Sequence, residues 1–332
     1  MCDTRFDVLA IGNAIVDILA HEDEAFLTSN GLNKGTMSIV DDSAFKGIYT
    51  QIEPVNICSG GSAANSIAGI VSLGASGAFI GKISDDHLGN TFRQDMRSNG
   101  VYFQTPALKD GSGTATCVVL VTPDAERTMQ TYLGACVELG PEDINVDDVG
   151  AAKVTFLEGY LWDPPAAKEA FLKAAHLAHH AGRKVSLSLS DPFCVERHRE
   201  DFVELVENHI DILFANEDEI LSLYKMNTFE EALKAIQGRC EIVALTRGAL
   251  GCVILQGKDV KVLGCEPADR VLDTTGAGDA FAAGFLAGYT QGNDITLAAR
   301  MGNIVAAEVI SHMGARPNLD LKSLVAERLT AG

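Results

Sequence analysis

Short apolar runs recur along the chain, separated by longer segments with helical spacing of apolar positions. Residues 6–11 form a first run closed by Gly12, and residues 15–20 a second with Asp17 in its middle; both predict strands. Residues 36–40 predict a third. From 154 onward the alternation is regular, with strands at 154–157, 185–189, 211–214 and 242–245 and helices at 165–181, 196–208 and 229–237. Strands separated by helices imply βαβ units and a parallel sheet, in which ligands sit at the carboxyl ends of the strands. One region departs from the alternation. The β-rich runs 114–122 and 127–133, joined by Pro123-Asp124-Ala125-Glu126, predict a hairpin, and a small β insertion in such a chain suits a lid over a site.

Two glycine-rich helix starts stand out against this background. Gly60-Gly61-Ser62-Ala63-Ala64-Asn65 opens a helix running to about residue 73, with Ser62 as the expected N-cap and Asn65 on its first turn. Asp273-Thr274-Thr275-Gly276-Ala277-Gly278-Asp279 precedes a small and apolar helix over 280–289. Its glycines let successive N–H groups point one way at a helix N-terminus, where an anion is favoured. Asp279 falls in the first helical turn, is expected to be ionised at neutral pH, and is placed to act as a base on a hydroxyl. Taken alone, the same stretch also reads as an ordinary helix cap. Asp17 is open in the same way, between a solvent-facing edge-strand residue and a carboxylate aimed at a ligand's hydroxyls.

Two further loops follow strands: Asn216-Glu217-Asp218-Glu219, and Thr246-Arg247-Gly248-Ala249-Leu250-Gly251. A hydroxyl, a guanidinium and flexible backbone in the second suit nucleotide phosphates. Neither a G-x-x-x-x-G-K-[ST] nor a complete G-x-G-x-x-G occurs, which disfavours P-loop and dinucleotide-dependent enzymes. His176, His179 and His180 share one helix but have no companion metal ligand in the pattern.

Composition narrows the class. A chain of 332 residues that is 47% apolar accommodates one large α/β domain with an insertion. With 26 basic against 45 acidic residues and a net charge of −19, it lacks the basic surface that nucleic acid requires, although a nucleotide needs only local positive potential. The eight cysteines, Cys2 included, are scattered without a C-x-x-C pair, as expected for reduced thiols in the cytoplasm. Asn13 and Asp17 interrupt the apolar run 8–20, so it reads as neither a signal peptide nor a membrane span.

Together these motifs resemble the ribokinase-like (PfkB) family of sugar and nucleoside kinases, over essentially the whole chain and in the family's order. Asp273–Asp279 matches the family's C-terminal signature and Gly60–Asn65 its N-terminal one, while Asn216-x-x-Glu219 and Thr246-x-Gly248-x-x-Gly251 match two further elements. The resemblance implies a three-layer α/β/α fold with a mostly parallel central sheet, residues 1–332 forming one domain, and a β lid from about 14–40 and 112–134. By the resemblance, Asp279 is the base and the amides of Gly276, Ala277 and Gly278 form the anion hole. Asn13, Asp17, Gly60, Gly61, Ser62, Asn65, Arg127 and Tyr160 serve the acceptor. Asn216, Glu219, Thr246, Arg247, Gly248, Gly251 and Asn303 serve ATP, with Glu219 near Mg²⁺ through water. Asp273, Thr275 and Gly314 lie where the family holds a monovalent cation such as K⁺. Gly12-Asn13-Ala14-Ile15-Val16-Asp17-Ile18 and Phe156-Leu157-Glu158-Gly159-Tyr160-Leu161 are similar to adenosine kinases, although Leu161 stands where an aromatic pair would be completed. The implied reaction is phosphorylation of a nucleoside 5′-hydroxyl by ATP, with a sugar kinase of the same family as the alternative. Its partners are small molecules rather than nucleic acid or membrane, and the enzyme is a monomer or homodimer.

Overall fold

The computed structural model describes residues 4–124 and 126–331. Cys2 and Ala125 therefore lie outside the described residues. The strands, in chain order, are β1 (Phe6–Ile11), β2 (Ile15–His21), β3 (Met37–Ile39), β4 (Asn56–Gly60), β5 (Gly77–Ile80), β6 (Tyr102–Phe103) and β7 (Ala115–Val121). They continue with β8 (Arg127–Tyr132), β9 (Ala152–Glu158), β10 (Lys184–Ser188), β11 (Ile212–Asn216), β12 (Ile242–Thr246), β13 (Cys252–Gln256) and β14 (Asp259–Leu263). Nine of them form one sheet in the order β14-β13-β12-β11-β10-β9-β1-β5-β6. The ladders from β12 to β6 are parallel, and β13 and β14 add an antiparallel edge.

This sheet is covered on both faces, so its strands read as continuous apolar runs. On β11, Ile212 and Phe214 enter the core beneath the helices Ser62–Ser72, Ala277–Thr290 and Ile295–Val309. Leu213 and Ala215 enter the opposite core, beneath Pro165–His180, Arg199–Asn208, Glu217–Tyr224 and Phe229–Ile236. The α/β/α layers and mostly parallel sheet expected from the sequence are present.

The five remaining strands form a second sheet in the order β3-β8-β7-β2-β4. The hairpin expected at 114–133 is β7 and β8, paired antiparallel from Val121 with Arg127 to Thr116 with Tyr132. β2 lies between β7 and β4, so Asp17 is on an interior strand and not on an edge. β4 was not foreseen in this sheet, because Asn56 and Ile57 are exposed and the segment lacks alternation. The helix expected at 196–208 is two helices, Pro192–Arg197 and Arg199–Asn208. Asp191 caps the first by accepting from the Cys194 amide at 2.7 Å, and Pro192 sits in its first turn.

Candidate active site

One cavity of about 880 Å³ lies between the two sheets, at the carboxyl ends of β9 to β12. The Ala277–Thr290 helix starts there. Gly276, its N-cap, has φ +76°, and a Cβ at that position would come within 2.5 Å of Ala315 Cβ, so the turn requires glycine. The Ala277 amide closes a turn on the Thr274 carbonyl at 3.2 Å. Gly278 faces open space and lines the cavity.

Asp279 is held by the other glycine-rich helix start. Ser62 Oγ donates to Asp279 Oδ1 at 2.6 Å, and Asn65 Nδ2 donates to Oδ2 at 3.2 Å. Ser62 is thus not the N-cap that the sequence suggested: Gly61 is, with φ +97°, and the Ser62 hydroxyl is spent on Asp279. A Cβ at Gly60 would lie 2.1 Å from Asp17 Oδ2, so that glycine makes room for the carboxylate without lining the cavity. Burial pushes the Asp279 carboxyl upward against the pull of Ser62, Asn65 and Arg316. Desolvation thus outweighs the helix N-terminus, and the raised carboxyl is a stronger base than an exposed Asp.

Across the cavity, Asp17 sits in a row of cross-strand neighbours, Cys58 on β4, Cys117 on β7 and Thr131 on β8. Burial raises Asp17 to about 6, with Arg316 and Arg127 opposing and Asp279 adding to the rise. Burial also raises the thiols of Cys58 and Cys117, to about 11 and about 12, so Asp17 is flanked by neutral sulfur. The same wall carries Ile15, Leu19, Val119 and Met129, and Tyr160, 38% exposed, faces the cavity while Leu161 is in the core. Tyr160 is anchored by its amide, which donates to Ser190 Oγ at 3.1 Å.

The loops after β11 and β12 close the far end. Asn216 and Glu219 form a capping box: Asn216 Nδ2 donates to Glu219 Oε1 at 2.7 Å and the Asn216 amide to Oε2 at 3.0 Å. Burial raises Glu219 to about 7, opposed by the Asn216 amide. Thr246, Arg247 and Gly248 line the cavity. Arg247 is already paired with Glu217, at 2.9 and 3.0 Å, and lies 3.9 Å from the Phe229 ring centroid.

Besides Gly60, four of the expected residues lie away from the cavity surface. Asn13 is buried, its Nδ2 donating to Glu158 Oε1 at 2.6 Å. Gly251 turns tightly against Leu263, and Asn303 Nδ2 donates to the Gly264 carbonyl at 2.9 Å. Asp273 is buried behind the turn. Its Oδ1 accepts from the Thr275 amide at 3.0 Å, and its Oδ2 from the Gly314 amide at 2.8 Å and Arg127 Nη1 at 2.6 Å. Burial would raise Asp273, but the amides and Arg127 together hold it below its usual range.

The donor sets decide which ions fit. Glu219 offers a hard carboxylate at the cavity, suited to Mg²⁺ that arrives with nucleotide phosphates and keeps most of its waters. No cluster of three or more metal-ligating side chains occurs among the described residues, so the protein builds no cage of its own there. A monovalent cation does not fit at Asp273 and Thr275, because Arg127 bridges them, reaching Thr275 Oγ1 at 3.1 Å.

Glu158 and Arg316 are among the side chains not assigned from sequence. Glu158, at the end of β9, accepts from the Ala63 amide at 2.8 Å as well as from Asn13, and burial raises it to about 7 against those bonds. Arg316 lines the cavity from the C-terminal loop. Both contacts span the fold, and no local motif announces them. No helix among the described residues is long and apolar enough to cross a membrane.

Residues 40–322 match the pfkB family of carbohydrate kinases. The structure is similar to that of a probable sugar kinase from Rhizobium etli CFN 42, with TM-score 0.90 and 46% identity over 98% of this chain and 99% of that one. It is equally similar to adenosine kinase from Sinorhizobium meliloti, with TM-score 0.90 and 46% identity over 98% of this chain and 100% of that one. An uncharacterised sugar kinase of Archaeoglobus fulgidus is 32% identical over 252 residues, 76% of this chain and 98% of that protein. The chain therefore belongs to the pfkB carbohydrate kinase family, and it is a phosphotransferase that acts on a hydroxyl group.

Proposed function

We propose that the chain phosphorylates the 5′-hydroxyl of adenosine with ATP, releasing AMP and ADP. The observation that carries this reading is the division of the acceptor end into a polar and an apolar part. Asp17, Asn65 and Asp279 offer hydrogen bonds suited to a ribose, while Ile15, Leu19, Val119, Met129 and Tyr160 offer an apolar, aromatic wall suited to a base. A bare sugar leaves that wall without a partner. The similarity to an adenosine kinase supports the same choice, and the similarity to proteins described as sugar kinases keeps a sugar acceptor as the alternative.

In this mechanism Asp279 takes the 5′-hydroxyl proton as the oxygen attacks the terminal phosphorus of ATP. Ser62 and Asn65 fix the carboxylate so that one oxygen lone pair faces the acceptor. The turn at 276–278 and the helix N-terminus hold the charge spreading over the transferred group. Arg127 starts β8 and bonds the turn, so it couples the second sheet to the phosphate end. We assign that sheet as the lid, which excludes water and limits hydrolysis of ATP. Mg²⁺, when bound with ATP near Glu219, neutralises phosphate charge.

ADP release measured with adenosine, other nucleosides, ribose and fructose tests the assignment. Adenosine is expected to give the highest kcat/KM, by roughly tenfold or more over the sugars. A sugar preferred over adenosine replaces the acceptor assignment, and no turnover with any acceptor removes the reading altogether.

A further inference from the structure

Arg316 occupies a position from which several parts of the site are reached at once. Its Nε donates to Asn65 Oδ1 at 3.0 Å, and its Nη2 to Ser59 Oγ at 2.9 Å. Ser59 is itself bonded to Asp95 through its hydroxyl and, at 2.9 Å, through its amide. Arg316 Nη1 lies 3.9 Å from Asp95 Oδ2. The loop that carries it also delivers the Gly314 amide to Asp273 and seats Ala315 against Gly276.

A guanidinium has only donors, whereas an Asn amide has one acceptor end and one donor end. With Asn65 Oδ1 turned to Arg316, its Nδ2 must face Asp279, as observed at 3.2 Å. Without that guanidinium Asn65 Oδ1 loses its donor, and the amide is held only by the 3.2 Å contact with the carboxylate that it positions. Arg316 is also a fixed positive charge whose field reaches both Asp17 and Asp279.

We propose that Arg316 is a positioning residue: through Asn65 it sets the orientation of the Asp279 carboxylate. The consequence for rate rests on the function proposed above, but the link from Arg316 to Asp279 does not, and the test keeps them apart.

The test uses full-length protein labelled with ¹³C at aspartate carboxyls, free of ligand, with the Asp279 signal identified by its loss in Asp279→Asn. In Arg316→Met the Asp279 titration midpoint is expected to rise by about half a pH unit or more, since both the cation and the fixed amide donor are lost. An unchanged or lowered midpoint overturns the proposal, whatever the acceptor proves to be. Once an acceptor is known, the acid limb of kcat in Arg316→Met moves up by the same amount and kcat falls roughly tenfold, with KM for ATP within about twofold. If Arg316→Met does not fold, Arg316→Lys carries the test. Its single ammonium keeps the charge but not the two-nitrogen fork, so the midpoint still rises, by less than about half a pH unit, as the fixed amide donor is lost, and kcat falls by about fivefold or more once an acceptor is known. Wild-type kcat in Arg316→Lys overturns the positioning role.

Discussion

Asp279 combines two influences that usually oppose each other. The helix N-terminus and the bonds from Ser62 and Asn65 favour its charge, while burial disfavours it and wins. A raised carboxyl takes up a proton more readily than an exposed Asp, which suits the base role proposed for it. Asp279→Asn keeps the shape and the capacity to bond Ser62. It should remain folded and bind ligand by calorimetry, yet lose about two or more orders of magnitude in kcat; a variant near wild-type rate removes the base role. A second prediction at this scale concerns Asp273. Arg127 already supplies positive charge there, so replacing K⁺ by tetramethylammonium should leave kcat within about twofold. A loss of about fivefold or more would show that a metal cation competes successfully for Asp273.

At the level of elements, two helix starts from opposite ends of the chain meet at one carboxylate. Ser66 Oγ bonds the Asp279 carbonyl at 3.2 Å, which fixes the two helices against each other just below the cavity. Gly61 makes this possible, because its φ of +97° and the Asn13 carbonyl 2.3 Å from a Cβ built there admit no side chain. Gly61→Ala should cost about 1–3 kcal/mol in urea unfolding through strain and a displaced helix start. Unchanged stability would mean that the turn relaxes freely. The glycine pairs, the β7–β8 hairpin and the regular strand–helix alternation were all legible in the sequence, because each is encoded by residues close together in the chain. Glu158 and Arg316 were not legible. Glu158 sits in an apolar run that reads as plain strand, and Arg316 acts on Asn65, 251 positions away. The capping assignment of Ser62 failed for a related reason: its hydroxyl had a better partner, brought in by the tertiary fold.

Across the whole molecule, the site is a set of carboxylates held in a partly desolvated cleft, and stability should register it. Burial raises Glu158 and Glu219 to about 7 from 4.5, and Asp17 to about 6 from 3.8. The folded state therefore holds extra protons between roughly pH 4 and 7, and stability falls as pH rises through that window. Wild type should lose more thermal stability between pH 5 and 8 than Glu158→Gln, which carries no charge at that position; equal losses would mean that Glu158 does not hold its proton in the folded state. In the proposed reading the large sheet carries the phosphate end and the small sheet acceptor recognition, and Arg127 bonds across them to Asp273 and Thr275. The most direct test of that division is ³¹P NMR of a single reaction in which adenosine, ribose and fructose compete for limiting Mg–ATP. The account predicts 5′-AMP as the dominant new phosphate ester. A sugar phosphate formed with no AMP would contradict it.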